Sequence, residues 1–167
     1  MIKENSKNKF LGGKLTILQQ REGFRAGHDS VLLASSIPAK KGDKCLELGI
    51  GAGVVSLCLM KRVPGLSVIG IDNDRDIIKL LKENISLNGF DDHISVIKGD
   101  LNDGSNKFKN LKRHSFDHIF SNPPFYEKGE IVLPKNKNKR NAYYGEKDFI
   151  NNWIKSVSYT HLTLPTN

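Results

Sequence analysis

From Lys44 onward the chain alternates short apolar runs with longer amphipathic ones, and this alternation limits the fold more than any other feature of the sequence. "KCLEL", "SVIGID", "ISVIKGD" and "FDHIFS" have the length and character of strands, whereas "VVSLCLMK" and "DRDIIKLLKENISLNG" have that of helices. In the second helical run Ile77, Leu80, Leu81 and Ile85 fall on one face. Strands joined through helices pair in parallel, so the pattern predicts an α/β domain with a helix-covered parallel sheet. Pro64-Gly65 ends the first helix, Asp74 caps the second and Gly89 stops it. Upstream, the Gly12-Gly13 signal in "FLGGKLTILQQ" predicts a small hairpin or edge element. "GHDSVLLASSIP" predicts a two-turn helix with Asp29 as N-cap, ending before Pro38. "EKDFINNWIKS" predicts one more helix, with Phe149, Trp153 and Ile154 placed for burial.

The 167 residues suit one domain, and no internal repeat is visible. Charged residues at 26% and apolar ones at 38% describe a globular chain, neither disordered nor membrane-spanning. No apolar run reaches the length of a membrane span, and "MIKENSKNKF" lacks the apolar stretch of a secretory signal, so the expected location is the cytoplasm. Cys45 and Cys58 show no CxxC or histidine spacing; both are expected in the core, and no metal is expected. Lys plus Arg number 26 against 18 Asp plus Glu, a net +8 that favours a polyanionic partner. The excess gathers in the N-terminal arm and in "KNKNKR", with Lys135, Lys137, Lys139 and Arg140. Alone, such a run is solvated loop surface; its nearness to "NPPF" favours a loop that contacts phosphates.

All four strand runs end in polar groups: Glu47, Asp72, Asp100 and Asn122. A single acid at such a place is often a helix cap or turn former, but in a parallel sheet these ends converge on one crevice. Gly49, Gly51 and Gly53 separate the first strand from its helix and let a ligand approach the backbone. The sixth position of the dinucleotide pattern GxGxxG is Val54, which argues against hydride transfer. Asp72, at the end of the second strand, is placed to accept from ribose hydroxyls. After the fourth strand, "SNPPF" joins two prolines without N–H groups to an aromatic ring. The Asn122 oxygen and the proline carbonyls are then free acceptors on a stiff segment, suited to a flat group that carries an amine.

Together "LELGIGAG", "GIDND", "KGDL" and "SNPPF" resemble the class I S-adenosylmethionine-dependent methyltransferases, in the branch with the amino-methylating motif NPP(Y/F). The resemblance spans about residues 44–126. It implies a Rossmann-like parallel sheet with helices on both faces and the fourth strand beside the first. It also implies S-adenosylmethionine over Gly49, Gly51 and Gly53, its ribose on Asp72 and its adenine beside Asp100, with Glu47, Asn73 and Leu101 also in the cofactor site. Asn122, Pro123, Pro124 and Phe125 would be catalytic, Asn122 also lying near the cofactor. "FLGGKLTILQQREGFRAGHDSVLLASSIP" is similar to the start of bacterial enzymes that methylate adenine N6 in valine tRNA. That extends the resemblance to about residues 10–156, adds Gly27 and Asp29 near the cofactor, and implies a tRNA partner with Lys135, Lys137, Lys139 and Arg140 on its phosphates.

NPPF is shared with enzymes that methylate a protein glutamine, so this substrate, a guanine amine in rRNA, or a cofactor- or RNA-binding fragment without turnover stay open as alternatives. The expected organisation is an N-terminal extension over 1–43 that contributes to the cofactor site and a partial methyltransferase domain over 44–156, incomplete at its C-terminus. "VSYTHLTLPTN", residues 157–167, resembles the translation of a sequencing-library adapter and is expected to be a non-native tail.

Overall fold

The computed structural model describes residues 5–21, 25–100, 111 and 115–122, together with the backbone of 126–127 and 144–145. Strand β3 (Lys44–Leu48) leads through the glycine turn into helix α2 (Val54–Arg62), strand β4 (Ser67–Asp72), helix α3 (Arg75–Leu87), strand β5 (Ile94–Lys98) and strand β6 (His118–Ser121). These strands form one parallel sheet in the order β5-β4-β3-β6. The sequence expectation of a parallel sheet with the fourth strand beside the first is met. Asp74 caps α3 as expected, its carboxylate accepting from the backbone N–H groups of Asp76 and Ile77. The expected helix containing Phe149, Trp153 and Ile154, and the segment 157–167, lie outside the described residues.

Side chains alternate across the sheet into two apolar clusters. On one face Cys45, Val68, Ile94 and Phe120 pack with Leu57 and Leu59 of α2 and with Leu81 and Ile85 of α3. On the other, Leu46, Leu48 and Ile71 pack with Leu111 and Phe116. Both cysteines are free and buried. Burial pushes the Cys45 thiol up to about 12 and the Cys58 thiol up to about 11, consistent with core packing. Among the described residues no helix is long and apolar enough to cross a membrane.

The N-terminal segment forms an antiparallel hairpin of β1 (Asn5–Phe10) and β2 (Leu15–Gln20), turned through Leu11–Gly13. Its buried side chains Leu15 and Ile17 join the first cluster. The free edge of β2 meets α3, whose Asn84 and Asn88, one turn apart, pair with strand backbone as another strand would. Asn84 accepts from the Leu18 N–H at 2.7 Å and donates to the Leu18 carbonyl at 2.9 Å. Asn88 accepts from the Thr16 N–H at 3.0 Å and donates to the Thr16 carbonyl at 2.8 Å. The amide side chains thus satisfy an edge that would otherwise be open to other chains.

Helix α1 (His28–Ser36) follows the hairpin and packs on α2. Its N-cap is Gly27, not the expected Asp29. His28 is already helical, so Asp29 lies inside the first turn, and its carboxylate reaches back to accept the Gly27 N–H at 3.1 Å.

Candidate active site

Leu48 of β3 pairs with Ile71 of β4 on one side and with Ser121 of β6 on the other. The next residues, Gly49, Asp72 and Asn122, therefore stand at the same level, Asp72 as the last residue of β4 and the other two just past their strands. Asp72 and Asn122 flank β3, so roughly 10 Å separates their backbones at the ordinary spacing between strands. This is the carboxyl edge of a parallel sheet, where such folds place their ligands.

The glycine turn is fastened to β4 from below. The Ile50 N–H donates to the Ile71 carbonyl at 3.0 Å, and the Gly51 N–H donates to Asp72 Oδ2 at 2.8 Å. Asp72 Oδ1 accepts from the Asp74 N–H at 3.0 Å. Both Asp72 oxygens are thus held by backbone N–H groups, and a carboxylate can accept more hydrogen bonds than these. Desolvation raises the Asp72 pKa, opposed by those backbone hydrogen bonds.

Gly49, Gly51 and Gly53 all have left-handed backbone, with φ of 66°, 58° and 82°. They differ in what a side chain would meet. A Cβ at Gly51 would find only the Gly49 carbonyl, at 3.9 Å, so the turn is open there to an incoming group. A Cβ at Gly53 would overlap the Leu81 side chain, which makes that glycine a packing requirement between α2 and α3.

Glu47 does not line the open edge. It is 2% exposed, beneath the turn, and its Oε2 accepts from the Ser56 hydroxyl at the start of α2. Burial pushes its carboxyl up to about 8, with the Ser56 hydrogen bond opposing and the neighbouring Asp72 charge adding to the rise. Asn73 and Asp100 meet, Asn73 Nδ2 donating to Asp100 Oδ2 at 3.2 Å.

At the far side of the edge, the Ser121 hydroxyl donates to the Leu48 carbonyl at 2.8 Å and fixes the end of β6. Asn122 Nδ2 donates to Asp29 Oδ2 at 2.9 Å. The structure therefore brings Gly27, Asp29 and Asn122 together across 93 residues of sequence. Pro123, Pro124, Phe125, Leu101, Lys135, Lys137, Lys139 and Arg140 lie outside the described residues. Just beyond Phe125, β7 (Tyr126–Glu127) pairs with β8 (Tyr144–Gly145), so the two ends of the segment carrying the basic run adjoin.

Sequence reasoning passed over three residues that shape this edge. Ser56 carried no local signal. Gly70 sits within β4 where a Cβ would overlap Ile50 of the turn, and a glycine inside a strand was a readable mark of close approach. Asn84 is fully buried and donates to the Ala52 carbonyl at 2.9 Å, tying the glycine turn to the hairpin. A polar residue on the apolar stripe of a helix was the mark that could have found it.

The methyltransferase small domain model matches residues 24–135, more than half of the chain. Among curated relatives, the tRNA1(Val) (adenine(37)-N6)-methyltransferase of Tolumonas auensis is 28% identical over 131 residues, covering 78% of this chain and 52% of the relative. The protein of the same name from Porphyromonas gingivalis is 35% identical over 112 residues, covering 62% and 42%. The chain spans about half the length of the curated relatives it matches. Among solved structures, Pyrococcus horikoshii TYW2 in complex with MeSAdo superposes with a TM-score of 0.55 at 22% identity, over 70% of this chain and 42% of that one. At that identity the likeness shows the fold alone. The sheet order, the glycine turn and the family match agree, and the chain belongs to the methyltransferase small domain family.

Proposed function

We propose that the protein transfers a methyl group from S-adenosylmethionine to the exocyclic N6 amine of an adenine in tRNA. The observation that carries this reading is the register that brings the Asp72-fastened glycine turn and Asn122 out of the sheet at one level. The cofactor class fits the residues present: the turn is open at Gly51, and the Asp72 carboxylate beside it is an acceptor suited to a ribose hydroxyl. Bound there, S-adenosylmethionine would supply an electrophilic methyl on a sulfonium. The names of the curated relatives support the adenine and tRNA parts of the reading.

The chain's own work is positional and electrostatic. An aromatic amine is a weak nucleophile because its lone pair is delocalised into the ring. Asn122 Oδ1, with the Pro123 carbonyl, would accept the two N–H bonds and draw the lone pair back onto nitrogen, stabilising the positive charge that develops there. Phe125 would stack on the base. No proton need leave before the methyl is attacked, so alignment supplies most of the rate.

The test pairs two substitutions with labelled methyl transfer to unmodified tRNA. Wild type should place label in N6-methyladenosine. Asn122→Ala should lower the rate about 100-fold or more with cofactor affinity retained, the scale for removing a preorganised polar group. Asp72→Ala should do the reverse, weakening cofactor binding by about 1.5–3 kcal/mol for each charged hydrogen bond removed. Label appearing instead on a release-factor glutamine or on guanine would overturn the substrate, and wild-type turnover by Asn122→Ala would overturn the site.

A further inference from the structure

We propose that Asp29 is the positioning residue for Asn122, fixing which end of its amide faces the substrate. This rests on the reading of Asn122 above and adds a role for a residue that the sequence placed only near the cofactor.

A side-chain amide has a donor end and an acceptor end of nearly equal size, and rotation about its last bond exchanges them. Methyl transfer to an amine uses only the acceptor end. With the donor end outward, Asn122 would point N–H bonds at the N–H bonds of its substrate. A carboxylate resolves the choice, because an ionised carboxylate only accepts hydrogen bonds. With Asp29 Oδ2 at 2.9 Å from the nitrogen, the NH2 group must face Asp29 and Oδ1 must face away. The partner on that side sets the assignment.

Asp29 is itself held. Its other oxygen accepts the Gly27 N–H at 3.1 Å, and it stands in the first turn of α1, where the helix N-terminus favours a negative charge. The residue before Asn122 is held independently, the Ser121 hydroxyl donating to the Leu48 carbonyl. Asn122 thus follows directly on a residue fixed to the sheet and is tied by its own side chain to the N-terminal segment. Both Asp29 oxygens have protein partners, Gly27 on one side and Asn122 on the other.

Three variants test this: Asp29→Ala, Asp29→Asn and Asp29→Ala in an Asn122→Ala background. Asp29→Ala should slow single-turnover methyl transfer to tRNA about 10- to 100-fold, the scale of a misplaced reacting group. Its affinity for S-adenosylhomocysteine, measured by calorimetry, should stay at the wild-type value. Asp29→Asn keeps an oxygen that can accept from Asn122 and should recover part of the rate. In the Asn122→Ala background, removing Asp29 should cost nothing further. Weakened S-adenosylhomocysteine binding with normal turnover at saturating cofactor would make Asp29 a cofactor ligand and overturn the proposal, as would a full additional loss in the double variant.

One readout needs no substrate. The side-chain amide signals of Asn122 in a nitrogen-15 spectrum, identified by their absence in Asn122→Ala, should move in Asp29→Ala and move less in Asp29→Asn. If wild type transfers no methyl to tRNA, the proposed function fails, and these signals still decide the placement. Signals unmoved by Asp29→Ala overturn it.

Discussion

Glu47 illustrates how a residue can belong to a site without facing it. The acid before the glycines reads in the sequence as a ligand-facing group, yet the structure buries it beneath the turn with Ser56 as its hydrogen-bond partner. Local sequence shows the acid and the glycines but not the direction of the side chain, which follows from strand parity and from the helix above. Its carboxyl is pushed from an ordinary 4.5 to about 8, so the folded protein holds a proton that the unfolded chain releases across that interval. Stability from this group is therefore fully present below about 4.5 and lost as pH rises to about 8. The slope is at most about 1.4 kcal/mol per pH unit for one proton. Glu47→Gln removes the titration while keeping the shape. Thermal or denaturant unfolding between pH 5 and 8 should show wild type losing stability more steeply than the variant. Parallel curves would mean that Glu47 is ionised in the folded state.

At the scale of elements, the sheet was legible and its fastening was not. Apolar runs bounded by glycine and proline marked β3, α2 and β4, and Asp74 marked the start of α3, because strand and helix periods and caps are properties of neighbouring residues. The place of the hairpin depends on hydrogen bonds between residues 66 and 72 positions apart, which no local pattern encodes. The displaced start of α1 has the same origin: Asp29 is a good cap by type, but its carboxylate is used by Gly27 and Asn122. Asn84 joins three elements, since it holds both backbone groups of Leu18 in β2 and the Ala52 carbonyl of the glycine turn. Asn84→Ala leaves three backbone groups without this partner and should destabilise the protein by about 2–4 kcal/mol. Hydrogen exchange gives the sharper readout, because the Leu18 amide should lose protection more than amides in β3 do. Equal loss everywhere would mean that the hairpin and the sheet open only together.

Among the described residues, positive charge on the hairpin and the acidic edge of the sheet are distinct features. The described groups at the carboxyl edge are mainly acids, Asp29, Asp72, Asp74 and Asp100, and would not by themselves attract a polyanion. Of the residues behind the net charge of +8, Lys7, Lys9 and Lys14 are exposed on the hairpin. The basic run Lys135, Lys137, Lys139 and Arg140 lies in the segment whose ends adjoin at β7 and β8, shortly after Asn122 in the chain. If tRNA is the substrate, attraction has to come from cations around the acidic edge while Asn122 engages the base, a division between phosphate contacts that position and local contacts that select. Replacing these four residues by glutamine should weaken tRNA binding and flatten its dependence on salt. For every phosphate that is no longer neutralised, the slope of log affinity against log salt should fall by about 0.7–0.9. Cofactor affinity, which the proposed function assigns to Asp72 and the glycine turn, should not change. A filter-binding series from low to physiological salt measures the slope, and an unaltered slope in the fourfold variant would assign the run to solvated loop and move the phosphate contacts to the hairpin lysines.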